Sequence, residues 1–219
     1  MYVYTYLWIY ILEISAFILG LAAVKRSSPL SYHVLVWLAL ATALVMTSSI
    51  VIIHYYHRNH WLYNLWYPVE CYCLLLVFYR LAAHAVVRRI NRILLWLLPA
   101  AIIITFGVQP DLFTFNAYGA ICYLFLELIS AFVFLTDGLL MGEDHAVFKE
   151  PLSWMAAGLI MHCFISILAF GMWIFMLKWP PKYYGVAMVL ANTFYFAGMQ
   201  LTFIHLRKMN RPVAVKSIL

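Results

Sequence analysis

The chain has 219 residues, of which 67% are hydrophobic and 10% charged, where soluble domains carry about 45–50% and ~25%. So few charges cannot clothe that much apolar surface in water, which excludes a soluble enzyme. At ~20 residues per span the apolar content fits about seven transmembrane helices with short loops and no separate aqueous domain.

Short polar stretches punctuate the apolar runs at near-regular spacing. The first span is expected over Val3–Val24 and stops at Lys25-Arg26-Ser27-Ser28-Pro29, a charge and breaker cluster. The second covers Tyr32–Ile53, followed by His54-Tyr55-Tyr56-His57-Arg58-Asn59-His60. The third, Trp61–Leu81, holds Pro68 in its interior, where neighbouring helices can satisfy the freed carbonyl, so a kink rather than a break is expected. Span four runs Ile90–Phe106, and Gly107-Val108-Gln109-Pro110-Asp111 turns into span five, Phe113–Leu135, which ends at Asp137-Gly138. Glu150-Pro151 opens span six, with proline at a favourable first-turn position, and the run continues to Leu177. Lys178-Trp179-Pro180-Pro181-Lys182 turns into span seven, Tyr183–Leu206. The runs are uniformly apolar and do not alternate, so the expectation is an all-α integral membrane protein, a seven-transmembrane-helix bundle over residues 1–206 with a short basic tail, 207–219. The N-terminus lacks a basic n-region and reads as a span rather than a cleaved signal.

Eleven of the fourteen Lys and Arg fall on one set of loops: Lys25 and Arg26; Arg80, Arg88, Arg89 and Arg92; Lys149; Arg207, Lys208, Arg211 and Lys216. Arg58, Lys178 and Lys182 fall on the other. The positive-inside rule then places the N-terminus outside and the C-terminus in the cytoplasm, and it accounts for the net charge of +6 without nucleic acid. Tyrosine and tryptophan gather at span ends, as at Tyr55, Tyr56 and Trp61, like an interfacial belt. His84, Arg88 and Arg92 recur every fourth residue and, with Arg89, could meet anionic lipid headgroups or an acidic partner, although setting topology explains them more simply. The loop holding Asp137, Glu143, Asp144 and Glu150 faces the same side.

Ionisable groups within spans are costly unless partnered. Glu13, Glu70, Glu127 and His162 lie near the centres of spans one, three, five and six, joined by Asn64, Asn192 and Gln200. At least two of Glu13, Glu70, Glu127, His162, Asn192 and Gln200 are expected to meet inside the bundle, as a proton relay, a metal site, a ligand cradle or interhelical hydrogen-bond glue. A pocket opening outward and lined by Asn64, Glu70, His162 and Asn192 is the expected ligand site. His54, His57 and His60 have a repeated spacing but no adjacent carboxylate or cysteine, and the four cysteines are scattered, so no metal site, disulfide scaffold or catalytic set is read and the cofactor is left open. Span seven has no mid-membrane lysine for a retinal Schiff base, and Pro68-Val69-Glu70-Cys71 carries one of the two acids of a lycopene-cyclase motif.

The Asn64-Leu65-Trp66-Tyr67-Pro68-Val69-Glu70 stretch, the Pro151-Leu152-Ser153-Trp154 entry to span six with Gly158 beyond it, and the aromatic last helix with Asn192 resemble the seven-transmembrane sensory module of bacterial receptors and histidine kinases. The resemblance implies a bacterial cytoplasmic-membrane protein that binds a small molecule or lipid, or senses membrane state, in its outer half and moves a helix against an output domain. After Arg207 twelve residues remain, so the output is expected on a separate protein partner. A non-catalytic receptor-like sensor or accessory module is the leading expectation; a structural subunit of a membrane complex, or a membrane enzyme using Glu and His, are the alternatives.

Overall fold

The computed structural model describes residues 2–140, 149–175 and 181–210. Among them are seven helices: α1 (Tyr2–Ala23), α2 (Leu30–Tyr56), α3 (His60–Leu81), α4 (Ala85–Val108), α5 (Ala117–Leu140), α6 (Pro151–Phe175) and α7 (Pro181–Met209). Five are long and apolar enough to cross a membrane: α2, α4, and the apolar stretches Ala117–Leu139 of α5, Pro151–Met172 of α6 and Tyr183–Met209 of α7. The apolar part of α1, Leu7–Ala23, is shorter, and α3 carries His60, Asn64, Glu70 and Arg80 among its apolar residues. The chain is thus a multi-pass membrane protein, helical among the described residues, with five of those helices long and apolar enough to span where the sequence led to an expectation of seven.

Several boundaries move from their expected places for local reasons. α4 starts before Ile90, so Arg88, Arg89 and Arg92 lie in its first turns. α5 starts later than Phe113, because Asp111 and Thr114 fold the preceding segment back on itself: the Phe113 N–H donates to Asp111 Oδ1 at 2.9 Å and Thr114 Oγ1 to Asp111 O at 3.2 Å. Asp137 and Gly138, expected in a loop, lie inside α5. α3 continues through Pro68, and α4 likewise contains Pro99. Glu143, Asp144, the Lys178-Trp179-Pro180 turn and the tail beyond Asn210 lie outside the described residues.

The helices pack as a closed ring, α1–α2–α3–α5–α6–α7 and back to α1, with α4 braced against the seam of α3 and α5. A large core built on Leu35, Leu74, Phe78, Leu152, Met155, Met199 and Phe203 fills the ring, and a smaller one of Cys71, Leu75, Leu94, Leu98, Tyr123 and Leu126 lies under α4. Lipid gives helices no hydrophobic reason to associate, so close backbone approach and polar bonds must do that work. The α6–α7 contact is the tightest: a Cβ on Gly158 would sit 2.5 Å from the Phe194 carbonyl oxygen, and one on Gly198 2.7 Å from that of Trp154. The seam between α1 and α7 is instead polar. Trp8 Nε1 donates to Thr193 Oγ1 at 3.2 Å, Gln200 Nε2 to Leu12 O at 3.1 Å and Ser15 Oγ at 2.8 Å, and Lys25 Nζ to Asn210 O at 2.7 Å.

Candidate functional site

Three glutamates from three helices point into the ring. Glu13 on α1 and Glu127 on α5 are buried, and Glu70 on α3 is half-buried. Glu70 lies within electrostatic reach of both Glu127 and Glu13, and so relates the other two carboxyls. No single helix could place them so; the ring does, because each stands on the inward face of its helix.

Aromatic and sulfur groups enclose the cluster. Trp66, one turn before Glu70 on α3, and Tyr195 on α7 turn their indole N–H and hydroxyl toward the Glu70 carboxyl without completing hydrogen bonds of regular geometry. The Cys163 thiol of α6 donates to Glu127 Oε2 at 3.7 Å, and the Cys71 thiol of α3 to the Tyr123 carbonyl at 3.6 Å. His162 packs against Tyr195 with ring centroids 5.1 Å apart and the rings tilted by 42°, and it engages the Ala191 backbone. Glu13 Oε2, His162 Nδ1 and Ser166 Oγ are buried without a hydrogen-bond partner. Natural proteins rarely leave such atoms unsatisfied, and a concentration of them asks for a functional reason.

The other residues singled out by sequence have structural placements. Asn64 donates to the carbonyls of Leu112 at 2.9 Å and Thr114 at 2.7 Å and accepts from the Asn116 N–H at 2.9 Å. Its amide therefore pins the α4–α5 connection. Gln200 is spent on α1. Asn192 is half-buried on α7, one turn from Tyr195. The sequence reading missed Tyr195 and Trp66 as neighbours of Glu70, although the one-turn spacing of Trp66 and Glu70 is a signal that they share a face.

The basic set at the α3–α4 corner is organised by an acid. Asp137, buried on α5, accepts the backbone N–H of Ala83 at 2.6 Å and of His84 at 3.0 Å, and pairs with His84 Nδ1 at 2.5 Å. It anchors the α3–α4 corner, a role hidden in the sequence because Asp137 lies more than fifty residues away. Arg88 donates to the Ala82 carbonyl at 2.8 Å, and Arg92 to Tyr79 Oη at 3.0 Å while lying over its ring. Arg89 is exposed on α4. At the other end of the bundle, the left-handed His57 ends α2 and His60 opens α3, so the three spaced histidines straddle a corner instead of sharing one helix. Among the described residues no group of three or more His, Cys, Asp or Glu is arranged to hold a metal ion.

Comparison of the chain with protein-family models, curated proteins and solved structures gives no match.

Proposed function

We propose that the chain is a non-catalytic, receptor-like module of a bacterial cytoplasmic membrane, in which the Glu13–Glu70–Glu127 cluster is the sensing element and a separate protein is the output. All seven helices cross the bilayer in this reading, with the N-terminus outside. The observation that carries it is the burial of Glu13 on α1 and Glu127 on α5 with Glu70 of α3 within electrostatic reach of both. Like charges in a low-dielectric interior repel strongly. A proton or cationic group arriving at the cluster therefore changes the force between α1, α3 and α5, and this changes how the helices pack. Pro68, two residues from Glu70, removes one backbone hydrogen bond from α3 at the level where that force acts. The α1–α7 seam carries a shift in α1 toward the basic end, where Lys25 and Asn210 tie the helix ends together.

The test is hydrogen exchange on the full chain in lipid nanodiscs between pH 5 and pH 8, compared with Glu70→Gln and Glu127→Gln. The wild-type protein should show a pH-dependent change in protection in α3 around Pro68 and in facing parts of α1 and α5, beyond the intrinsic exchange-rate dependence. Both substitutions should flatten it while the protein stays inserted. An unchanged pH response in both variants, or a turnover of lipid that both abolish, would overturn the reading. A cysteine introduced into the tail beyond Asn210 should resist membrane-impermeant thiol reagents added outside; ready labelling would reverse the orientation.

The specific observation favouring a complex subunit is α4, which packs on α3 and α5 at the edge of the ring and turns Trp96, Ile103 and Ile104 outward, 78%, 73% and 64% exposed. A stoichiometric partner retained in mild detergent and lost on Trp96→Ala would support that reading.

A further inference from the structure

The two halves of the bundle interior offer the buried carboxyls different surroundings. Toward the end where α2 passes into α3, hydroxyl groups lead down to them. Asn59, half-buried before α3, donates through Nδ2 to Ser49 Oγ at 2.5 Å, and the Tyr63 hydroxyl donates to the same oxygen at 2.9 Å. One turn further along α3 the Tyr67 ring lies 6.3 Å from that of Tyr63, and its hydroxyl is within electrostatic reach of Tyr63, of Tyr184 on α7, and of both Glu70 and Glu127. Phe115 and Phe170 hold the Tyr67 ring edge to face, at 6.2 Å and 6.4 Å. Tyr67 makes no hydrogen bond among the described residues, so its O–H can turn between Tyr63 and the carboxyls. His57, Arg58 and His60 stand exposed at the rim. Toward the basic end the interior is apolar instead. Beyond Glu70, α3 presents Leu74, Val77 and Phe78; beyond Glu127, α5 presents Ala131 and Phe134, and the two phenyl rings meet at 5.1 Å. Of the hydroxyls on this side, Ser130 donates to Asn91 Oδ1 of α4, and Thr202 to the carbonyls of Pro151 and Gly198. A proton crossing this layer would have no free polar group to bond to.

We propose that the buried carboxyls exchange protons with one face of the membrane only, the face at the α2–α3 end, with Tyr67 as the last relay and Tyr63, Ser49 and Tyr184 as the outer stage. This deepens the sensing reading and rests on it: the proton is the ligand, and it arrives from the N-terminal side. Hydronium at the rim gives up a proton and becomes water, each hydroxyl accepts one proton and passes on its own, and the Glu70 carboxylate ends as a neutral acid. No other reactant is needed. The remaining titratable groups that face Glu70 are Glu13 of α1, Glu127 of α5, Cys163 of α6 and Tyr195 of α7, with Cys71 and Cys73 on its own helix. All stand near the middle of their helices, so they can share a proton once it has arrived but offer no way in from either face. Tyr67 is thus a positioning and relay group that stands between the carboxyls and water.

Time-resolved infrared spectroscopy of the full chain in lipid nanodiscs, after an acid jump from pH 8 to pH 5 driven by a caged proton, tests the proposal. The rise of the protonated-carboxyl band, identified by its loss in Glu70→Gln or Glu127→Gln, gives the rate at which protons reach the site. Tyr67→Phe removes one oxygen and keeps the ring. It should slow the rise by about tenfold or more, as loss of a positioned proton-transfer group does, and leave the final size of the band unchanged; a merely structural role would alter the final size as well. Ser130→Ala, on the apolar side, should leave the rate as it is. An unchanged rate in Tyr67→Phe would overturn the proposal, as would slowing by Ser130→Ala as large as that by Tyr67→Phe, which would bring the proton from the opposite face. Should Tyr67→Phe fail to fold, the double variant Tyr63→Phe, Tyr184→Phe interrupts the outer stage and should slow the rise in the same way, and an unchanged rate there would equally refute the route. Absence of any carboxyl band lost in Glu70→Gln or Glu127→Gln is a different failure, which sinks the sensing reading and this inference together.

Discussion

Gly158 and Gly171 stand on the same helix, and the same substitution at each should have opposite consequences. A Cβ at position 158 would lie 2.5 Å from the Phe194 carbonyl oxygen, 2.9 Å from Gly198 Cα and 3.2 Å from Gly198 N. Those are backbone atoms of α7, which cannot rotate aside as a side chain could, so α6 and α7 must separate by most of an ångström to restore ordinary contact. Van der Waals packing falls steeply over such a gap, and in lipid it is the main force holding helices together. Overpacking of this kind costs about 1–3 kcal/mol, against which alanine returns up to about 1 kcal/mol of helix propensity. Gly158→Ala should therefore lower the melting temperature by several degrees. At Gly171 an added Cβ meets nothing within 4 Å, so Gly171→Ala should be neutral or slightly stabilising. Cys71 and Cys163 are free and fully buried while Cys73 and Cys122 are half-buried, so in a Cys73→Ser, Cys122→Ser background a thiol-reactive fluorophore reports unfolding of the detergent-solubilised protein. Equal melting of Gly158→Ala and wild type, or equal destabilisation by both substitutions, would refute the claim that close α6–α7 backbone approach holds this side of the ring.

Three further outcomes follow from individual side chains. Asp137→Asn keeps the shape but removes the carboxylate that holds two backbone N–H groups and His84; a loss of about 2–4 kcal/mol and faster hydrogen exchange at Ala83 and His84 are expected, and unchanged exchange there would contradict the anchoring role. Asn64→Leu strips the α4–α5 connection of three hydrogen bonds and should raise protease sensitivity at residues 109–116 while leaving Glu70 responsive to pH; a loss of that response would tie Asn64 to the sensing cluster after all. Partial burial and nearby Arg58 hold the His60 imidazole below the ordinary histidine range. Its folded pKa thus lies below the unfolded value near 6.5, so protonation favours unfolding and its contribution declines as pH falls below about 6.5 toward the folded value. His60→Gln should therefore make the melting temperature slightly less sensitive to acid between pH 7.5 and pH 5, and an identical pH profile would show that His60 contributes nothing.

The sequence by itself determined the solvent of this protein and its secondary structure. A chain this apolar and this poor in charge must satisfy its backbone internally, and in lipid that requirement leaves helices as the form for long uniform apolar runs. Each run needed only local information: breakers such as Ser28-Pro29, the Gly107–Asp111 turn and the proline opening α6 mark ends that follow from neighbouring residues. The glutamates were legible as costly and therefore in need of company. Their company was not legible, because which face of a helix turns inward depends on every helix around it. That Glu70 comes within reach of the other two carboxyls, that Tyr195 turns toward Glu70, that Asn64 serves a loop and that Asp137 anchors a corner more than fifty residues away are relations between distant segments. They are fixed by side-to-side packing, and the approach of Gly158 to Gly198 shows how finely: one methyl group in that contact would move two helices. The three-dimensional ring decided the site, since in lipid the small residues and polar bonds that choose a helix's neighbours lie on surfaces whose partners are separated widely along the chain.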